Sequence, residues 1–208
     1  MSMPMLAGVG LMMVCCSSSS AALMVGGDGD KAKITSETKT LPDDSEPTLP
    51  SGQYVKLVHT VAQDNSAAGN ADDKNKILNL AELEVFAEDP AAGPGSWISL
   101  TDDIRGIEAA NFHGAGPLGN LVDGNFTNFA HTLGRTADDF DAITVDLGSV
   151  KEIGKIKITN RVDCCQKRAI GVKAVILGAD GTTVIKETPA ITTNAATYTF
   201  TFPGTAWA

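Results

Sequence analysis

The sequence is poor in basic residues and histidine, and its four cysteines occur only as two adjacent pairs. Against 25 Asp and Glu stand 16 Lys and Arg, a net charge of −9. An acidic chain repels phosphate backbones and anionic membrane surfaces alike, which argues against a nucleic-acid partner. The three histidines, His59, His113 and His131, are too widely separated to make a metal-ligand motif. Cys15–Cys16 and Cys164–Cys165 never take the C-x-x-C spacing, so a structural zinc site has no support. The sequence also lacks G-x-S-x-G, H-E-x-x-H, P-loop and dinucleotide fingerprints, and its carboxylates form no recognisable acid–base pair by spacing. These absences argue against an enzyme.

What remains is ordinary globular material, 43% apolar and 20% charged, behind an unusual front end. A length of 208 residues suits one domain with appendages. Residues 5–27 carry no charge and are long enough to span a bilayer as a helix. They lack the basic leader of a secretory signal. The segment 1–27 reads as a hydrophobic anchor, with a cleaved or atypical signal, or a buried segment, as alternatives. Cys15 and Cys16 inside it are acylation candidates on a cytosolic side, or simply small apolar residues. Residues 28–52 mix charges of both signs with threonine and proline and show no period, the composition of a linker.

From residue 53 to residue 208 the texture is that of a β domain. YVKLVHTV (54–61), LNLAELEVF (78–86, with a slip near Ala81), AITVDLG (142–148), IGKIKITN (153–160), GVKAVILG (171–178), TTVIKE (182–187) and ATYTFTF (196–202) alternate apolar and polar residues. Turn formers separate most of them, and no amphipathic helix pattern intervenes. The expected fold class is all-β, an antiparallel β-sandwich. Trp97 and Trp207 read as packing residues near the ends of the segment.

Three stretches taken together resemble an F-type lectin (fucolectin) domain, a branch of the discoidin-like, galactose-binding fold. They are NLVDGNFTNFAHT (120–132), AITVDLG followed by KIKITNRVDCCQKR (ending at Arg168), and LNLAELEVF. The resemblance implies a jelly-roll sandwich and a carbohydrate site formed by His131, Arg161 and Arg168, with Asp163 as support. It implies a disulfide between Cys164 and Cys165 packed against an apolar edge of the sugar; two free buried thiols are the alternative. The loop between His131 and Arg161 is longer than usual, and the customary Trp-Trp before the VDL strand is missing. The chemistry suits the role, because a guanidinium fork matches paired sugar oxygens and histidine adds a further donor or acceptor. The arginines could instead simply pair with Asp138, Asp139 or Asp163. The segment order is also informative. YVKL and LNLAELEV come first here and last in the family, so the domain reads as circularly permuted.

The resemblance further implies a structural Ca²⁺ held by Asn120, Asp123, Asn125, Asn128 and Glu82, an oxygen set that suits a hard cation. The competing reading is a metal-free turn at Asp123-Gly124. Asn125-Phe126-Thr127 is also a glycosylation sequon. The expected function is non-catalytic binding of glycans of the fucose type. The domain would be displayed outside the cell on a membrane anchor, or secreted, or carried on a virion surface. The alternative is an assembly module, homo-oligomeric through strand exchange, that keeps the fold without binding sugar.

Overall fold

A computed structural model describes residues 48–61, 77–93, 95–133 and 141–203. The hydrophobic segment 1–27, the linker as far as residue 47, the loop 134–140 with Asp138 and Asp139, and Trp207 lie outside the described residues.

Ten strands build two antiparallel sheets, and no α-helix occurs among the described residues. In the first sheet the order is β4 (Gly106–Ala109), β6 (Ala142–Glu152), β1 (Ser51–His59), β8 (Val172–Leu177), β9 (Val184–Glu187). In the second it is β10 (Thr197–Thr201), β7 (Lys155–Asn160), β2 (Asn79–Glu88), β3 (Trp97–Ser99). The two-residue strand β5 (Ala130–His131) pairs with the start of β2.

The period-two pattern explains which faces meet. Val55 and Leu57 of β1, Ile143, Val145 and Leu147 of β6, and Ile156 and Ile158 of β7 are at most 1% exposed and form one core with Leu83 and Val85 of β2. Each such side chain contributes roughly 1.5–3 kcal/mol on burial, which is what holds the sheets face to face. The slip at Ala81 is a β-bulge between Leu80 and Glu82. The extra residue leaves Leu80, Ala81, Glu82 and Leu83 all buried in succession, and so brings a carboxylate inside.

Both early strands are integral to the sandwich, but the neighbour that the permuted family order implies for Tyr54–Leu57, the strand ending near Phe202, is not the one observed. These residues sit in the middle of the first sheet, paired with β6 on one side and β8 on the other. β10, with alternate residues exposed, is instead the edge of the second sheet beside β7. The reason is visible in β1, whose core-facing residues are sealed and whose neighbours approach closely. A Cβ on Gly52 would stand 2.4 Å from Ile176 Cγ2 and 2.6 Å from the Leu177 carbonyl oxygen, so only glycine fits. β1 begins at Ser51, and Leu49 packs against the core, so the domain starts slightly before residue 53.

Candidate functional site

The site forms where β7 ends. Asn160 is 1% exposed and its side chain closes the loop that follows. Its Nδ2 donates to the carbonyls of Gln166 (2.9 Å) and Ala195 (3.0 Å), while its Oδ1 accepts from the Arg161 amide at 2.9 Å. Cys165, at φ 63°, turns the chain into the short 3-10 turn Gln166–Ala169. A left-handed, non-glycine residue costs conformational energy, and here it brings Arg168 back towards Arg161.

His131 meets this loop from β5. Arg168 Nη1 lies 3.2 Å from His131 Nε2, and His131 Nδ1 lies against the Thr132 carbonyl. A carbonyl can only accept, so Nδ1 carries the hydrogen and Nε2 offers the lone pair to Arg168. Burial, and then the neighbouring charges of Arg168, His113 and Arg161, hold His131 below the usual histidine range, opposed only in part by the Thr132 bond. The Nε2 lone pair is therefore directed at Arg168, and the guanidiniums are the donors that face a ligand. His113 adds a second imidazole 5.3 Å away, tilted at 54°.

Arg161 is fixed on three sides. Its Nε and Nη2 pair with the Asp163 carboxylate, the latter at 2.7 Å. Its guanidinium lies 3.5 Å from the centre of the Phe129 ring. Its Nη1, like Nη1 of Arg168, reaches the Asn79 amide at 3.2 Å once the oxygen of that amide faces the two arginines. Hydrogen bonding to Arg161 holds Asp163 down at about 2. The structure thus brings together His131, Arg161 and Arg168, with Asp163 bracing Arg161.

Cys164 and Cys165 are half-buried in the same loop, but as free thiols rather than the bridge that the resemblance implies. Adjacent Cα atoms stand about 3.8 Å apart across a trans peptide, below the usual disulfide range of about 4.4–6.8 Å, so a bridge needs a local backbone change. Burial, with a hydrogen bond that the Cys164 thiol donates to Cys165, pushes the Cys164 thiol up.

The second expected cluster lies on the loop after the 3-10 turn Leu118–Val122. Glu82, 1% exposed, reaches it: Oε1 accepts from the Gly124 amide at 3.2 Å. Asp123 accepts from the Asn125 amide (2.9 Å) and from Asn128 Nδ2 (2.7 Å). Glu82 Oε2 and Asn128 Oδ1 are buried without a hydrogen-bond partner. Burial pushes Glu82 up to about 7, the mark of a carboxylate short of positive charge. Two orphaned oxygens beside a second carboxylate fit a hard cation. Asn120 and Asn125 are engaged locally. Asn120 Nδ2 donates to the Phe129 carbonyl (3.0 Å), and Asn125 Oδ1 accepts from the amide and hydroxyl of Thr127 (3.1 and 2.7 Å). The unpartnered oxygens thus single out Glu82 and Asn128, with Asp123 bonded to Asn128, while the Nδ2 bond of Asn120 leaves its Oδ1 able to join them. No group of three or more His, Cys, Asp or Glu able to hold a metal occurs among the described residues, so any cation here depends on amide and carbonyl oxygens as well.

Asn79, Phe129 and Asn160 escaped the sequence reading. The signal for Asn79 was a polar residue at a sealed strand position between Leu78 and Leu80. Phe129 and Asn160 each adjoin a recognised motif residue, but nothing in their spacing marks a role.

The fold is an all-β sandwich with a polar cluster built on loops at one end. Residues 120–207 match the NedA-like, galactose-binding domain family of the F5/F8 type C group. Fucolectin-3 of Anguilla japonica is 29% identical over 108 residues, 48% of this chain and 60% of that protein. The chain thus spans only 60% of the length of this relative. No solved structure matches. Both likenesses support a fucolectin/discoidin-like, galactose-binding-type domain.

Proposed function

We propose that the domain binds a terminal sugar of a glycan at the cluster His131, Arg161, Arg168. The observation that carries this reading is the convergence itself. Two guanidiniums and an imidazole acceptor, linked by contacts of 3.2 Å, stand at one loop end, beside half-buried cysteines that offer an apolar surface. Sugar oxygens accept from the guanidinium forks, and the imidazole holds Arg168 in place for that contact. The match to a galactose-binding family and the likeness to a fucolectin support a sugar of the fucose type, whose methyl would lie on Cys164–Cys165. In an oxidising compartment those two thiols would bridge. Calcium would occupy the loop at Glu82, Asp123 and Asn128, where it would supply the positive charge the buried oxygens lack. Display outside the cell, by way of residues 1–27, suits such a module.

Permuted strand order completes the reading. The matched region begins at residue 120, yet β1 and β2 occupy interior positions of the two sheets. One observation favours the assembly alternative. Strand β9 at the edge of the first sheet exposes all four residues, with Val184 54% and Ile185 42% exposed. A glycan array probed with the purified protein separates the readings. Retention on fucosylated glycans, in the range of about 10 μM to 1 mM or −4 to −7 kcal/mol, is expected. A folded protein that no glycan retains, but that self-associates, would hand the function to assembly.

A further inference from the structure

We propose that Asn79 is a positioning residue that sets the two arginines of the site, making strand β2 part of the binding machinery; the proposal rests on the sugar-binding reading above. Asn79 is 1% exposed, between Leu78 at 0% and Leu80 at 1%. An amide buried there costs stability unless its polar atoms are satisfied. Only one orientation achieves this. The NH2 group cannot accept from a guanidinium, so the oxygen must face Arg161 Nη1 and Arg168 Nη1, each at 3.2 Å.

The backbone places Asn79 for this task. It pairs across from His131 on β5, and the next residue, Leu80, pairs with both Ala130 and Asn160. Asn79 thus sits at the junction of β2 with β5 and β7, the two strands that deliver the imidazole and Arg161. One oxygen bonds both guanidiniums, and Arg168 Nη1 also reaches His131 Nε2 at 3.2 Å. Two cations side by side repel, and Asp163 pairs with Arg161. A shared acceptor between them offsets part of that repulsion and stops each planar fork from rotating. A sugar then meets donors already aimed, and the ordering cost of binding falls.

The test compares Asn79→Leu, which keeps the volume and removes the acceptor, with Asn79→Asp, which keeps an acceptor, and with Asn79→Ser, a smaller change for the case where Leu does not fold. Each full-length variant is titrated with a polymer bearing α-L-fucose. The side-chain NH signals of Arg161 and Arg168 are followed by NMR without sugar, and the melting temperature is recorded. Removing hydrogen bonds to charged groups predicts a loss of at least about tenfold in affinity for Leu or Ser. Their guanidinium signals should broaden or collapse together, and Asp should recover both readouts relative to Leu. Affinity and NMR signals in Leu and Ser equal to the wild type would overturn the proposal. So would equal losses in Leu, Ser and Asp that track the melting temperature, because Asn79 would then merely support the strand. If the wild type itself ignores the polymer, the fucose reading falls, and the NMR comparison still decides whether Asn79 positions the arginines.

Discussion

Calcium should stabilise this domain, and the size of the effect follows from the buried oxygens. Glu82 is 1% exposed, one of its oxygens has no partner, and Asn128 Oδ1 on the loop that Glu82 reaches is in the same condition. A cation that binds only the folded loop adds RT ln(1 + [L]/Kd). With a Kd of about 0.1–1 mM, typical of extracellular calcium modules, 10 mM calcium adds about 1.4–2.7 kcal/mol. For a domain of this size that is a rise of about 3–10 °C in melting temperature, read by scanning calorimetry in chelator and in calcium. Glu82→Gln sharpens the test. The amide removes the charge a cation needs, so the calcium response should vanish. It also removes a buried carboxylate that lacks compensation when no cation is present, so the variant in chelator should be at least as stable as the wild type in chelator. A melting curve identical in chelator and calcium would refute the reasoning, as would a Glu82→Gln variant that still responds.

Two further predictions concern histidine. His59 is 2% exposed, and burial lowers it to about 4 even though Nε2 bonds the Ile77 carbonyl at 2.8 Å. The unfolded chain takes up a proton below about 6.5 and the folded one does not, so this stability is complete above pH 6.5 and is lost as pH falls towards 4. By pH 4.5 the loss is about 2–3 kcal/mol; urea titrations at pH 7 and 4.5 should show a flatter profile in His59→Gln, and an equal slope in both proteins would remove the claim. His131 is held below its ordinary range, so glycan binding should persist at pH 6.5 and fade well below it, as protonation of Nε2 destroys the lone pair facing Arg168. Binding that strengthens on acidification would mean that the imidazole donates to the sugar instead.

The sequence showed the strands and concealed their partners. Alternation in YVKLVHTV says which residues face inward, and Val55 and Leu57 do so. It says nothing about which strand lies alongside, and β1 proved central rather than a neighbour of β10. Strands β3, β4 and β5 span three, four and two residues, too short for a period to emerge. Arg161, Asp163 and Arg168 were legible because one loop holds all three. Asn79 was not, because its role depends on a pairing with His131 across a quarter of the chain. The slip near Ala81 looked like noise in a pattern and is the bulge that turns Glu82 inward.

That bulge gives β2 two roles within four positions. Asn79 faces the arginines and Glu82 faces the loop at Gly124, and without the extra residue between them the alternation of the strand would set the carboxylate differently. The chain also joins the two places directly. The loop that Glu82 holds runs from Asp123 to Asn128, and the next residues are Phe129, whose ring lies under Arg161, and then His131 on β5. Asn120 ties the start of this loop to its end through the Phe129 carbonyl at 3.0 Å. Loop order therefore fixes the floor beneath one arginine and the strand that carries the imidazole. β2 fixes the same two elements from the other side, through its ladder to β5 and the Asn79 amide. A cation at Glu82 would act on the sugar site through that shared frame, 129–131 against β2, without touching the sugar.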